Sequence, residues 1–567
     1  MFAQNATASR PPIGIERWGT ALAILPVAVG LVAIKAYGPL IRAVVEWRPD
    51  LVTAGVLAVA VLCAAFPFLR YPAAAGPARF LLTGLAIASG IYALALGGEI
   101  AVADPVRAAA VGHALPLGLA LVVPATVLAI WRPSFAAFPF LYVVLHKDLT
   151  RSVSGATHLG MSDYLPLVEV GFFLAASLCA LALLRVALLR WRPDHAPEDA
   201  VDVSWSATLV LVAAIGAHFG NYFLSGLAKV ALDGGPLSWA LENPTSSLML
   251  AGYNLGTAPL SAWPWLFDLV HDAFSRVEVA SNVVTLFAQL LCALAFLHRR
   301  LLLGVTVFFD AMHVGIFVLT GAMFVTWIVL NTLIVAAVMR LPEGRFRPSV
   351  MVLGFLVTVL GHQVFWNARL GWYDARQVRH GYFVAIDREG GEHRVPSNFF
   401  REASYLMLGR QFGFLEHTRP SAHVPTSAWG QIGIHVAPRD GATNGELMRQ
   451  ARRCAMPLPA AKEATPVARE ATPAAPDYDE AAPARFIRGQ HRRALDHAAA
   501  GTTNRYNIYP HHHLSMPFLF RDFEALDPRD IVAYRYVVES VCLDSTPSGL
   551  ERRVLARTTS EIPLDAR

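Results

Sequence analysis

Residues 205–229 read WSATLVLVAAIGAHFGNYFLSGLAK, and the apolar run at 205–227 within them is long enough to cross a bilayer as a single helix. A bilayer core of about 30 Å needs roughly 20 apolar residues in helical conformation. Further runs of this kind fill the first two-thirds of the chain, near residues 18–37, 51–69, 80–101, 112–131, 164–184, 279–298, 301–319, 322–339 and 350–366. A shorter apolar run at 135–145 is predicted to be an interfacial or re-entrant piece. The chain is therefore predicted to be an all-α polytopic membrane bundle of about 10 spans.

The composition predicts a membrane-embedded part followed by a water-exposed part. The 567 residues are 55% hydrophobic and only 16% charged, whereas soluble domains carry about 25% charged residues. Charged side chains are sparse up to residue 366 and frequent afterwards, which predicts a soluble mixed α/β (α+β) C-terminal domain. The net charge of +5 is small for this length, so no nucleic-acid partner is expected and the lipid bilayer is the predicted partner. The predicted organisation is an N-terminal tail (1–17), a transmembrane domain (18–366), a soluble domain with a β-hairpin (367–456), an Ala/Pro-rich linker (457–484) and a C-terminal soluble segment (485–567).

The soluble part carries recognisable strand and helix patterns. Residues 382–386 and 393–395 flank a Gly-containing turn at 388–391, which predicts a β-hairpin. An amphipathic helix is predicted at 402–415, and a late strand at 531–541. The histidine tract at 511–513 is interpreted as an exposed polar loop, because successive side chains point in different directions; no metal site is predicted.

Arginines between the spans predict the orientation of the chain. Three short loops carry them: Arg185, Arg190 and Arg192 in the first, Arg299 and Arg300 in the second, and Arg340, Arg345 and Arg347 in the third. The positive-inside rule places all three loops in the cytoplasm, so the loop at 228–278 and the C-terminal domain are predicted to lie on the outer side of the cell membrane. Cys454 and Cys542 lie in this soluble part and can form a disulfide bond if it is exported.

Ionisable residues inside the spans are candidate functional residues, because each costs free energy in a bilayer. His218 and Lys229 are eleven positions apart, which puts them roughly 20° apart around a helix axis, with Tyr222 and Ser225 on the same stripe. Two interpretations of Lys229 are open. Its amine is either desolvated inside the protein, where it would be usable as a base, or extended to the membrane surface, where it only anchors the helix end.

Three further spans carry ionisable residues of this kind. Asp310 and His313 are three positions apart and are predicted to share a helix face, where they could form a hydrogen-bonded pair. Glu169 and His362 are single residues in their spans and are interpreted as structural hydrogen-bonding groups.

Two short motifs in the later spans are characteristic in combination. The first is Tyr222-Phe223-Leu224-Ser225-Gly226-Leu227-Ala228-Lys229, followed by Trp239, and the second is Asp310-Ala311-Met312-His313, followed by Gly321-Ala322-Met323-Phe324. Together they resemble the HTTM transmembrane domain, the membrane module of vitamin K-dependent γ-glutamyl carboxylase and its bacterial relatives. The resemblance covers about 164–391, and its membrane part is about 164–366.

The resemblance implies that Lys229 occupies the position of the carboxylase's catalytic lysine base. In the carboxylase, reduced vitamin K is oxygenated to a strong base that takes a proton from a glutamate, and CO2 adds to the carbanion. This chain has Ala228-Lys229 where the carboxylase has two lysines, so that reaction is not assigned to it. No cofactor is identified; a lipid-soluble small molecule, such as a quinone, is the kind of ligand that the resemblance implies.

Three functions are consistent with these features. The first is a membrane enzyme that uses Lys229, His218, His313 and Asp310 on a lipid-soluble or membrane-proximal substrate. The second is a transporter or flippase that uses intramembrane acids and histidines to carry protons, although no inverted repeat is visible. The third is a non-catalytic scaffold whose C-terminal domain binds a partner protein.

Overall fold

The computed structural model describes residues 13–65, 70–98, 100, 112–153, 165–191, 203–232, 234–403, 432–433, 444–455, 482–502, 504, 506, 515–546 and 549–564. Most of the predicted helix at 402–415, most of the Ala/Pro-rich linker and the whole histidine tract at 511–513 lie outside these residues.

Apolar helices dominate the first two-thirds of the chain. Within the described ranges, six helices are long and apolar enough to cross a membrane: Ala21–Trp47, Gly76–Leu96, Pro166–Leu188, Val203–Val230, Pro264–Leu297 and Arg299–Thr320. Four shorter apolar helices coincide with other predicted spans: Pro49–Ala65, Ala114–Leu128, Val325–Met339 and Pro348–Gln363. Length and composition thus identify a membrane-embedded protein, while the count of about 10 spans stays a prediction.

The helices of this part follow one another in a bundle. They are α1 Ile13–Trp47, α2 Val52–Ala65, α3 Gly76–Leu96, α4 Ala114–Leu128, α5 Pro133–Val153, α6 Pro166–Trp191, α7 Val203–Val230, α8 Ser238–Glu242, α9 Ser246–Leu255, α10 Pro264–Leu291, α11 Arg299–Thr320, α12 Val325–Met339 and α13 Pro348–Leu360. Helix α7 lies at the centre of this bundle, since 94% of its apolar window is buried against other parts of the chain. Polar side chains on α7 therefore face protein and not lipid.

The segment predicted as a loop at 228–278 is largely helical. It contains α8 and α9, and α10 begins within it at Pro264, directly after Trp263. Proline is favoured in the first turn of a helix because its missing N–H would have no partner there, so the Trp-Pro-Trp sequence starts a helix. The run at 135–145, predicted to be interfacial or re-entrant, lies inside the 21-residue helix α5.

The described C-terminal strands are β1 Trp372–Tyr373, β2 Gln377–Asp387, β3 Glu392–Arg394, β4 Ile432–Gly433, β5 Ile531–Thr546 and β6 Gly549–Pro563. Four of them form an antiparallel sheet in the order β3-β2-β5-β6, and β1 pairs separately with β4. The predicted hairpin is confirmed as β2 and β3, with Gly390 in the turn at φ 84°. The predicted late strand is confirmed as the first part of β5. Strands from both predicted soluble segments therefore join one sheet.

The sheet is fastened to the end of the bundle at which α7 terminates. Arg394 Nη1 donates to the Asn254 carbonyl over 3.0 Å, and Arg552 Nε donates to Asn254 Oδ1 over 3.0 Å. Apolar residues of α9 and of β2 and β5, including Met249, Val378 and Val541, form a common buried cluster. This attachment holds the connection between α13 and the sheet over the end of α7.

A disulfide bond joins Cys454, which follows the helix Asn444–Arg452, to Cys542 in β5. It closes a loop with a sequence separation of 88 residues, so reduction frees a long segment in the unfolded chain. We expect Cys454→Ser to lower the free energy of unfolding by about 2–4 kcal/mol, measured by denaturant unfolding of the purified protein in detergent. Cys63→Ser, at a buried but unpaired cysteine, is the control for thiol replacement itself. Equal stability of oxidised and reduced wild-type protein would contradict the expectation.

Candidate functional site

A cavity of about 320 Å³ lies where α7 ends beneath the sheet. Helices α7 to α12 each contribute to its lining, together with the connection that follows α13. The lining combines Tyr222, Ser225 and Lys229 of α7 with His313 of α11 and with Asp374. Three of the four residues of the predicted α7 stripe thus meet in one cavity, and His313 joins them.

The Lys229 side chain is enclosed by protein. It is 7% exposed, and its Nζ donates to the Leu370 carbonyl over 2.7 Å and to the Ser225 carbonyl over 3.5 Å. The same Nζ lies 4.8 Å from the centroid of the Trp239 ring, which is a cation–π distance. The amine is therefore held in one place beneath the connection to the sheet and does not extend freely into water.

That connection runs along α7 and is joined to it by several hydrogen bonds. Asn367 Nδ2 donates to the Ala217 carbonyl, and the Ala368 N–H donates to Asn221 Oδ1. The Leu370 N–H donates to Ser225 Oγ over 3.2 Å. Backbone groups that leave the membrane helix α13 are thus satisfied by α7, which fixes the roof of the cavity against the helix that carries Lys229.

Asp374 is the second charged group of the cavity, and it is buried to 3% exposure. Asn243 Nδ2 donates to Asp374 Oδ2 over 2.8 Å, and the Asp374 N–H donates to Asn243 Oδ1 over 2.7 Å. Trp372 Nε1 donates to Asp374 Oδ1 over 3.2 Å. Burial raises the pKa of the Asp374 carboxyl to about 7, although these hydrogen bonds and the positive charge of Lys229 favour the ionised form.

This raised pKa predicts a pH dependence of stability. A carboxyl that titrates at about 7 when folded, against an ordinary 3.8, stabilises the fold fully below pH 3.8, and that contribution is lost as the pH rises through 7. Between about pH 5 and pH 8, wild-type protein should therefore lose about 1–3 kcal/mol relative to Asp374→Asn, which cannot ionise. Denaturant unfolding in detergent across this range measures the difference. Parallel curves for the two proteins would contradict it, because any fixed effect of the substitution is independent of pH.

Of the two candidate histidines, His313 lines the cavity and His218 does not. His313 lines the cavity, with its ring 5.5 Å from that of Trp327 and 5.7 Å from that of Tyr222. His218 lies deeper, where its Nε2 is 2.9 Å from Asn331 Oδ1. Asn331 Nδ2 in turn donates to the Tyr222 hydroxyl over 2.8 Å. The His218 ring also packs edge-on against the Tyr222 ring, with centroids 5.2 Å apart. His218 therefore supports Tyr222, which lines the cavity, but does not line the cavity itself.

Asp310 does not pair with His313. Within the described residues no hydrogen bond joins them, and Asp310 Oδ2 instead accepts from Thr332 Oγ1 of α12 over 3.2 Å. Positions three apart differ by about 60° around a helix, and here that angle turns His313 to the cavity and Asp310 to α12. The prediction of a hydrogen-bonded pair is wrong.

Glu169 and His362, which are interpreted as structural, lie apart from the cavity. Glu169 Oε1 accepts the Trp366 N–H over 3.0 Å, which agrees with a structural hydrogen-bonding role. His362 is half-buried beside α13, with its Nδ1 3.1 Å from the Val359 carbonyl oxygen.

Sequence reasoning missed several polar residues of the site. Asp374 follows the last predicted span, where a carboxylate is ordinary in a soluble domain, so only the packing of the roof identifies it. Gln289 lies in α10 and lines the cavity, and Asn282 in the same helix accepts from Thr245 and donates to Asn243. An amide in an apolar run is the signal that could have identified Gln289 and Asn282.

Comparison of the chain with protein-family models, curated proteins and solved structures gives no match. The resemblance at 222–229, 239 and 310–313 therefore remains a prediction from those residues alone.

Proposed function

We propose that the chain is an HTTM-type membrane enzyme in which Lys229 acts as the base on a lipid-soluble or membrane-proximal substrate bound in the cavity. The observation that carries the proposal is the enclosure of the Lys229 amine in a cavity beside His313 and Asp374. An amine that served only to anchor a helix end would be expected to reach water. Here it donates to the Leu370 carbonyl, and Lys229 lines the cavity.

Each residue has a role that its contacts support. A general base has to lie within hydrogen-bonding reach of the proton that it removes, and its own proton has to leave again. Asp374 can exchange a proton near neutral pH, because its pKa is about 7, and it interacts electrostatically with Lys229. His313 lines the same cavity from α11 and can orient the substrate. His218 acts as a positioning residue, since it does not line the cavity but contacts Tyr222 directly through its ring and also through Asn331.

We further propose that the sheet and the cavity lie on the outer side of the cell membrane. Disulfide bonds persist in oxidising compartments, and the Cys454–Cys542 bond lies beside the sheet. Glu169, at the start of α6, bonds to Trp366 near the sheet, so Arg190 at the other end of α6 lies far from it. Arg299 bonds to the carbonyls that end α12, which is also the end away from the sheet. This distribution agrees with the positive-inside rule.

Reconstitution tests the proposed function and separates it from the alternatives. The full-length protein is placed in sealed liposomes together with the lipid extract of membranes that contain it, and compounds are compared by mass spectrometry before and after incubation. Chemical conversion of one extract component supports the enzyme. Movement of a compound between leaflets or compartments without conversion would favour a transporter. If neither conversion nor movement occurs and a protein partner co-purifies through the C-terminal domain, the scaffold is favoured.

A further inference from the structure

The walls of the cavity differ in exposure. On α10 and α11, partly exposed lining residues face the same gap: Phe274, Ser281 and Thr285 on one side, and Met312, Gly315 and Ile316 on the other. Tyr222, Lys229 and His313, in contrast, are buried. The remaining partly exposed lining residues are Leu319 of α11, Thr245 before α9, and Leu370 and Trp372 of the roof. The cavity therefore has a side opening between two membrane helices in addition to any opening through its roof.

The gap follows from how α10 and α11 are joined. Both helices are described over their whole length, and they do not pack closely against each other along it. The 3₁₀ segment Cys292–Leu297 connects them at the end away from the sheet, whereas α9 contacts both near the sheet. A Cβ atom added at Gly315 would meet nothing within 4 Å. An open slot thus leads from the cavity to the outside of the bundle between α10 and α11.

The slot lies in a wall of the bundle that faces lipid. Val277 and Val284 of α10 are each 53% exposed, and Val314 of α11 is 47% exposed. Both helices belong to the set that is long and apolar enough to cross a membrane. Exposed valines on such helices contact acyl chains, so the outer end of the slot opens into the bilayer.

The inner end of the slot contains polar groups that have no hydrogen-bond partner in the described part of the chain. Gln289 Oε1 and His313 Nδ1 are buried, and neither has a hydrogen-bond partner among the described residues. A buried polar group without a partner costs about 1–3 kcal/mol, so a ligand that bonds to either group gains that free energy on binding. The two residues lie on different helices, α10 and α11, on either side of the slot.

We infer that an amphiphile with one hydrogen-bonding head enters sideways from the bilayer through this slot, with its head at Gln289 and His313 and its tail between α10 and α11. This inference rests on the proposed function, since it names the class of substrate that reaches Lys229. A volume of about 320 Å³ is at the small end of the range for ligand cavities, so the head and a short part of the tail are enclosed. The rest of the tail stays in the slot and in the bilayer.

Photolabelling of the full-length protein in liposomes tests the route. The probe is a long-chain alcohol with a diazirine next to its hydroxyl group, and labelled residues are identified by mass spectrometry. We expect labelling of Met312 and Ile316 in the cavity, reduced at least about fivefold in Gly315→Trp, which fills the slot. Gly304→Trp is the matched control on the same helix, because a Cβ there also meets nothing within 4 Å and Gly304 does not line the cavity. Labelling of the lipid-facing Val277 and Val314 serves as the reference in every sample.

Two results would overturn the inference. One is labelling of Val277 and Val314 without labelling of Met312 or Ile316 in wild-type protein. The other is labelling of the cavity by a short water-soluble diazirine alcohol that Gly315→Trp does not reduce, which would indicate entry through the roof. If Gly315→Trp fails to fold, Thr285→Phe blocks the slot from α10. Labelling does not require turnover, so failure of the enzyme proposal and failure of the lipid route give different results.

Discussion

Lys229→Met is expected to lower the turnover of the substrate by about 10²–10⁴-fold, the range that a positioned general base contributes. Methionine has a similar length to lysine but no amine, so it removes the base and the 2.7 Å hydrogen bond to the Leu370 carbonyl. The substitution also removes the cation–π contact of the amine with Trp239, but the unbranched apolar side chain of methionine still fills the buried position. Stability should therefore change much less than activity. Conversion of the extract component in liposomes and thermal unfolding in detergent are measured on the same preparations.

Two further variants make this result specific to the base. Lys229→Arg keeps the positive charge but cannot supply an unprotonated group, so it should be as inactive as Lys229→Met. Lys35→Met makes the same change on the membrane helix α1, away from the cavity, and should keep wild-type turnover. Turnover above half of the wild-type value in Lys229→Met would rule out Lys229 as the base, whatever the substrate.

Gly371→Ala is expected to destabilise the protein by about 3 kcal/mol, the upper end of the usual cost of overpacking. A Cβ atom at Gly371 would lie 2.6 Å from both the carbonyl carbon and the oxygen of Ala228, and backbone atoms cannot rotate away as a side chain can. The connection that forms the roof would have to lift from α7. Because Lys229 bonds to Leu370, which precedes Gly371, the position of the amine should change as well.

Thermal unfolding in detergent measures this loss, and turnover in liposomes measures its effect on the site. Gly344→Ala is the matched control, since an added Cβ at Gly344 meets nothing within 4 Å. A Gly371→Ala protein with wild-type stability and turnover would show that the roof does not have to lie against α7 for the site to work.

Local patterns in the sequence predicted the features that depend on one helix or one strand at a time. Apolar runs of sufficient length predicted the membrane helices, because hydropathy over about 20 residues decides whether a helix can cross a bilayer. The helical repeat predicted that Tyr222, Ser225 and Lys229 share a face, and all three line the cavity. Strand and turn patterns predicted β2, β3 and the first part of β5. Each of these features follows from residues that are close in the chain.

Features that depend on contacts between distant segments were decided only by the tertiary structure. The pairing of Asp310 with Thr332 instead of His313 depends on which helix packs against each face of α11. The burial of Asp374 depends on Asn243, which lies more than a hundred positions earlier in the chain. The slot exists because α10 and α11 are joined at one end and separated at the other by α9. A hydropathy pattern records how apolar a residue is but not which neighbour covers it, so a carboxylate in a soluble segment and a glycine in a span gave no sign of the cavity that they help to form.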